Sequence, residues 1–136
     1  MRKPSFFTRL NAFLLLLLLP SLSIAQDISK EEYRATWIAS VYNLDWPDNA
    51  SASVDAKING SNGLIELLDD LKSAGMNSVF FQVRTQCDAL YQSNYEPWSE
   101  FVSGSEGQNP GFDPLQVVLD EAHKRGMEVH AWFNPY

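Results

Sequence analysis

Cysteine is nearly absent from this chain: Cys87 is the only one in 136 residues. No internal disulfide can form, so this is not a small module stapled by cystines. A nucleophilic Cys87 would need a partner base, and only His123 and His130 exist; His123 falls in a helical pattern, which disfavours cysteine chemistry. Metal-ligand spacing of the zinc-site kind is missing, and neither a metal nor a cofactor is implied. No G-x-G-x-x-G follows the first strand pattern, which disfavours a dinucleotide-binding start. Basic residues are few. With Arg2, Lys3 and Arg9 set aside as part of a leader, seven Lys and Arg face 17 Asp and Glu, a net charge of −10. That balance leaves no basic face for a phosphate backbone, so nucleic acid is excluded as a partner. A neutral or weakly charged substrate fits better.

Long apolar runs are also scarce. The one present, Leu10 to Ala25, is broken by Asn11 and contains Pro20. It is shorter than the ~20 residues a spanning helix needs. Its basic start, apolar middle and small residues Ser23 and Ala25 read as a secretory signal peptide over residues 1–25, cut before Gln26. No cysteine near the cut offers a lipid anchor. The expected location is therefore the periplasm or the exterior of a bacterial cell, with no membrane partnership beyond export. Asn49-Ala-Ser51 and Asn59-Gly-Ser61 match the glycosylation pattern, which has meaning only in a eukaryotic secretory pathway.

What remains is rich in core-forming residues. Hydrophobic content is 45%, with eight Phe, five Tyr and four Trp, enough to bury a core and to argue against disorder. Tyr33 to Val41 reads as a first strand, rich in aromatic and β-branched residues. Asp48 to Gly63 reads as a long polar connection. Leu64, Leu67, Leu68 and Leu71 form one apolar helical stripe, with Ser61 or Asn62 as the cap and Gly75 closing it. Val79 to Arg84 is a strand with the near-continuous apolarity of one buried on both faces. Thr85 to Pro110 is a long irregular segment carrying Tyr91, Tyr95, Trp98 and Phe101. Loops that long in compact domains are usually functional or disordered, and the aromatics favour an ordered one. Asp113 then caps a second helix, with Pro114 at its first position. Leu115, Val118, Leu119 and Ala122 repeat the stripe, Gly126 ends it, and a third strand follows.

Leu64, Leu68, Asp69, Gly75 and Met76 recur 51 residues later as Leu115, Leu119, Asp120, Gly126 and Met127. A repeated strand–helix unit points to an α/β protein with a parallel sheet. The leading fold is the opening of a (β/α)8 TIM barrel, about three βα units long; a flavodoxin-like sheet is the alternative. A complete barrel needs ~250 residues. Residues 26–136 are therefore expected to be the N-terminal part of a longer domain, inactive alone.

In such folds the C-terminal strand tips carry the chemistry. Gln82 and Arg84 are the polar residues ending an apolar strand. Arg84 could hold a substrate hydroxyl or carboxylate, or could form a structural ion pair. His130, Trp132 and Asn134 share one face of the third strand by two-residue alternation. Trp132 offers a flat plate for a sugar ring, and His130 reads as a deeper, hydrogen-bonded histidine. The 51-residue repeat aligns Trp132 with Phe81, so the relation between the polar tips stays open. Among the loop carboxylates Asp45, Asp88, Glu96 and Glu100, Asp88 is best placed as a catalytic acid or base, four residues past Arg84. Glu96 and Glu100 read as ordinary loop charges.

Four stretches carry a specific likeness: Glu32 to Ile38; Phe81 to Arg84 with Asp88 to Tyr91; Glu96 to Ser99; and Glu121 to Tyr136, which contains His130-Ala131-Trp132-Phe133-Asn134-Pro135-Tyr136. Together they resemble the glycosyl-hydrolase-like 10 family, exported bacterial (β/α)8-barrel proteins. Thr85-Gln86-Cys87 stands where that family more usually has Pro, Ala and Gly. The resemblance implies a glycoside hydrolase acting on cell-envelope polysaccharide, peptidoglycan glycan strands stripped of peptides, through two carboxylates. It places Gln82, Arg84, Asp88, Trp132 and Asn134 at the cleft. A non-catalytic carbohydrate-binding protein and a structural envelope protein are the alternatives.

Overall fold

A computed structural model describes residues 32–135. The leader reading and Tyr136 lie outside those residues. Three strands form one parallel sheet in the order β1–β2–β3: β1 Ala35–Ile38, β2 Ser78–Arg84 and β3 Glu128–Phe133. Four helices lie between them: α1 Val54–Asn59, α2 Leu64–Ser73, α3 Glu100–Ser103 and α4 Pro114–Lys124. The expected α/β architecture with a parallel sheet is present. None of the described helices is long and apolar enough to cross a membrane.

The two faces of the sheet differ. Ile38, Val79, Phe81 and Val83 join Leu64 and Leu68 of α2 and Val118 and Ala122 of α4 in one buried cluster. Each of the larger side chains contributes roughly 1.5–3 kcal/mol by leaving water, and Ala122 less. Arg125 beyond α4 meets Asp69 of α2 at 2.7 Å, so Asp69 links the two helices. The opposite face carries Trp37, Phe80 and His130 side by side in one register row. Trp37 stacks on Phe80 at 4.6 Å and Phe80 on His130 at 4.9 Å. This face is open: Trp37 is 58% exposed. His130 is exposed too, with Nε2 3.6 Å from Glu128, so the expectation of a buried core histidine is not met among the described residues.

Several elements depart from the sequence reading. The polar connection contains α1, capped by the Ser53 side chain and the Ala56 N–H. Trp46 is fully buried beside it and donates its indole N–H to the Lys57 carbonyl at 2.9 Å. β1 is shorter than Tyr33–Val41 because the chain turns at Val41–Asn43 into a single 3-10 turn. The long segment after β2 holds the one-turn α3, capped by Ser99. The N-cap of α2 is Gly63, and Asn62 instead donates its backbone N–H to Glu66. Asp113 caps α4 as expected, accepting from Gln116 at 3.0 Å.

Candidate functional site

The C-terminal ends of the three strands converge. At the end of β1, the Ser40 and Val41 N–H groups donate to Oε1 of Gln82, at 2.9 and 3.0 Å. Ser40 returns its hydroxyl to the Gln82 carbonyl at 3.0 Å. Gln82 is fully buried, and its Nε2 finds no acceptor among the described residues. Gln82, nominated as a substrate contact, is thus first a clamp between β1 and β2.

Between β2 and β3 the pairing runs Ser78 to Glu128 and Gln82 to Trp132, then slips so that Arg84 pairs with Phe133. The strands are offset by 50 residues rather than 51, which brings Trp132 opposite Gln82. A bulge at the tip re-aims the residues beyond it. Arg84 there forms a close ion pair with Glu96, Nε to Oε1 2.6 Å, and both side chains are mostly buried. Its Nη1 donates to the Asn134 carbonyl. The hydrogen bond that Arg84 donates to the Glu96 carboxylate raises the guanidinium pKa above its already high value. Of the two roles open to Arg84, the structural ion pair is the one formed. Glu96, read as an ordinary loop charge, is its partner; no sequence spacing joins two residues twelve apart across an irregular loop.

Asn134 links the remaining pieces. Its amide donates to the Thr85 carbonyl at 3.0 Å, and its Oδ1 accepts from the Trp132 indole at 2.9 Å. The indole plane is thereby fixed, with its ring edge-on to Trp37 at 5.0 Å. Four nominated residues, Gln82, Arg84, Trp132 and Asn134, lie together at the strand tips.

Asp88 does not reach that cleft as a free carboxylate. It is 2% exposed. One oxygen accepts from the Thr85 and Gln86 N–H groups at 2.8 and 2.9 Å, and the other from the Thr85 hydroxyl. Burial pushes its pKa up, but hydrogen bonds from the Ser99 and Thr85 hydroxyls and from the two N–H groups outweigh it. The carboxyl stays below its ordinary range. A general acid needs the opposite, a raised pKa and reach to the substrate. The geometry therefore makes Asp88 the staple of the loop after β2. Asp45 is similarly occupied, accepting from the Ala39 N–H at 2.7 Å, and Glu100 accepts from the Gln86 amide.

Backbone strain collects at the same end. Tyr42 and Asn43 after β1, and Cys87 after β2, all have φ between 51° and 54°, a left-handed region that residues with a Cβ seldom adopt. Such conformations cluster at functional sites. Asn43 bridges the two loops, donating to the Pro47 and Phe101 carbonyls at 2.7 Å each. Cys87 is a free, exposed thiol. No cluster of metal-ligating side chains occurs among the described residues.

A parallel α/β sheet, an ordered polar network at its strand tips and an indole held in that network define the class: an α/β protein with a preformed site at the carboxyl ends of its strands. The chain belongs to the glycosyl hydrolase-like 10 family, whose model matches residues 32–135. It is 48% identical to glycosyl hydrolase YngK of Bacillus subtilis over 113 residues, covering 83% of this chain and 22% of that protein. It is 47% identical to glycosyl hydrolase DigH of Escherichia coli K12 over 112 residues, covering 79% of this chain and 26% of that protein. The chain thus spans about a quarter of the length of these relatives.

Proposed function

We propose that this chain is the opening part of an exported (β/α)8-barrel glycoside hydrolase that acts on cell-envelope polysaccharide, the peptide-free glycan strands of peptidoglycan. Membership of a glycosyl hydrolase-like family supports the hydrolase class. The observation that carries the site is the hydrogen-bonded set Trp132, Asn134 and Thr85, continued through Arg84 to Glu96, at the strand tips. It sets an indole plate beside polar groups, the combination a sugar ring needs for its apolar face and its hydroxyls. The mechanism is acid/base cleavage by two carboxylates. Asp88, Asp45 and Glu96 are engaged in holding loops and strand tips. The reacting pair is accordingly assigned to the length of the relatives that this chain does not cover.

That engagement also favours a second reading, a carbohydrate-binding barrel without turnover. Both are tested by incubating the full-length protein with purified glycan strands, with and without their peptides. Release of new reducing ends from the peptide-free strands is the expected result. Binding without release supports the second reading, and neither binding nor release contradicts both.

A further inference from the structure

A recess of about 260 Å³ lies on the loop between β2 and α4 and shares no lining residue with the strand-tip network. It is lined by Gln92, Trp98, Asn109, Gly111, Phe112 and Asp113. The loop around it is locked. Ala89 donates to the Pro97 carbonyl and Ser99 to the Ala89 carbonyl, at 2.9 and 3.0 Å. Leu90 donates to Val83 and Leu115 to Leu90, tying the loop to β2 and α4. Gly107 donates to the Trp98 carbonyl at 2.8 Å, and Gln92 donates its backbone N–H to Asp113 at 3.0 Å. The recess is therefore preformed.

Its chemistry is specific. Trp98 is half-buried, and its indole N–H has no acceptor among the described residues. The Gln92 carboxamide is exposed and unpaired there. Asn109 is exposed and uses its oxygen for the Gly111 N–H, while its NH2 group has no acceptor among the described residues. A carboxamide both donates and accepts, as a vicinal pair of hydroxyls does. Asp113 supplies no free cation site, since its oxygens accept from the Gln92 and Gln116 N–H groups at the start of α4. Its negative charge also disfavours an acidic sugar. The volume lies just below the ~300–1,000 Å³ of drug-sized ligand pockets, which suits a single ring.

We propose that this recess is a second glycan subsite, taking one neutral pyranose ring of the polysaccharide with its apolar face on Trp98 and its hydroxyls on Gln92 and Asn109. The assignment rests on the glycan-directed reading above and adds a contact point outside the strand-tip cleft. Its role is to hold a chain that extends beyond the cleft.

The test uses the full-length protein and a neutral β-1,4-linked N-acetylglucosamine tetramer, with binding followed by titration calorimetry. Trp98→Ala is expected to weaken binding by about tenfold, and Gln92→Ala by about threefold, each within the range of one lost contact. Gln92 is exposed, so Gln92→Ala keeps the test valid if Trp98→Ala perturbs the loop. Sugar release from peptide-free strands is measured alongside. Wild-type release with tetramer binding unchanged in both variants overturns the subsite and leaves the hydrolase reading standing. Weakened binding in the variants, with no release by wild type, supports the subsite and overturns the hydrolase reading. No tetramer binding by wild type overturns the subsite whatever the release.

Discussion

Asp88 is buried, ionised and surrounded by donors. Its folded pKa lies below the unfolded value of about 3.9. A depressed carboxyl contributes stability that is present above the unfolded pKa and lost as pH falls through the folded one. Asp88→Asn should therefore destabilise the domain at neutral pH by about 2 kcal/mol, the scale of hydrogen bonds to a charged group. In urea titrations the gap between wild type and variant should close below about pH 4. A gap that stays constant from pH 7 to pH 3 contradicts the assignment. Arg84 and Glu96 make a second residue-scale case. If they act as one unit, Arg84→Gln and Glu96→Gln should be non-additive, the double variant losing less than the two singles combined. Additive losses mean that the contact contributes nothing.

At the scale of elements, the helices obey local rules that permit direct tests. Asp113 caps α4 and also receives the Gln92 N–H. Asp113→Ala should cost about 1–2 kcal/mol in a denaturant titration, at the upper end for a lost cap because two N–H groups lose their acceptor. Gly126 ends α4 with φ +62°, and a Cβ placed there would meet nothing within 4 Å. Gly126→Ala should thus cost only the conformational penalty, about 1 kcal/mol, and Gly126→Asn less. These features were legible in the sequence because caps, stripes and terminal glycines act within one or two turns. So were β2 and β3, through their runs of apolar residues. The short helices α1 and α3 were hidden by polar, small-residue stretches. α1 instead docks through Trp46, whose indole reaches the Lys57 carbonyl. At the site, the polar residues ending β2 and β3 were legible, but their engagements were not. The Arg84–Glu96 pair and the Asp88 staple depend on the path of an irregular loop. The one-residue offset that sets Trp132 opposite Gln82 is a property of pairing, not of either strand alone.

For the whole molecule, the sheet is covered on one face and open on the other. Phe133 at the end of β3 is also 52% exposed. Parallel sheets are normally buried on both faces, with barrels closing their edges. The barrel proposal therefore makes a prediction for the full-length protein. All backbone amides from Glu128 to Phe133 should resist hydrogen exchange there, including those that have no acceptor on β2. Fast exchange of that alternate set would show β3 to be a free edge and contradict barrel closure. The central claim is that the strand-tip network forms the cleft of a glycan hydrolase, with Trp132 as its plate. The most direct test is sugar release from peptide-free glycan strands by the full-length protein, compared with its Trp132→Ala variant at equal thermal stability. The account predicts release by wild type and at least a roughly tenfold fall in kcat/KM for the variant, about 1.4 kcal/mol of lost binding in the transition state. Equal rates for the two proteins, or no release by wild type, would contradict it.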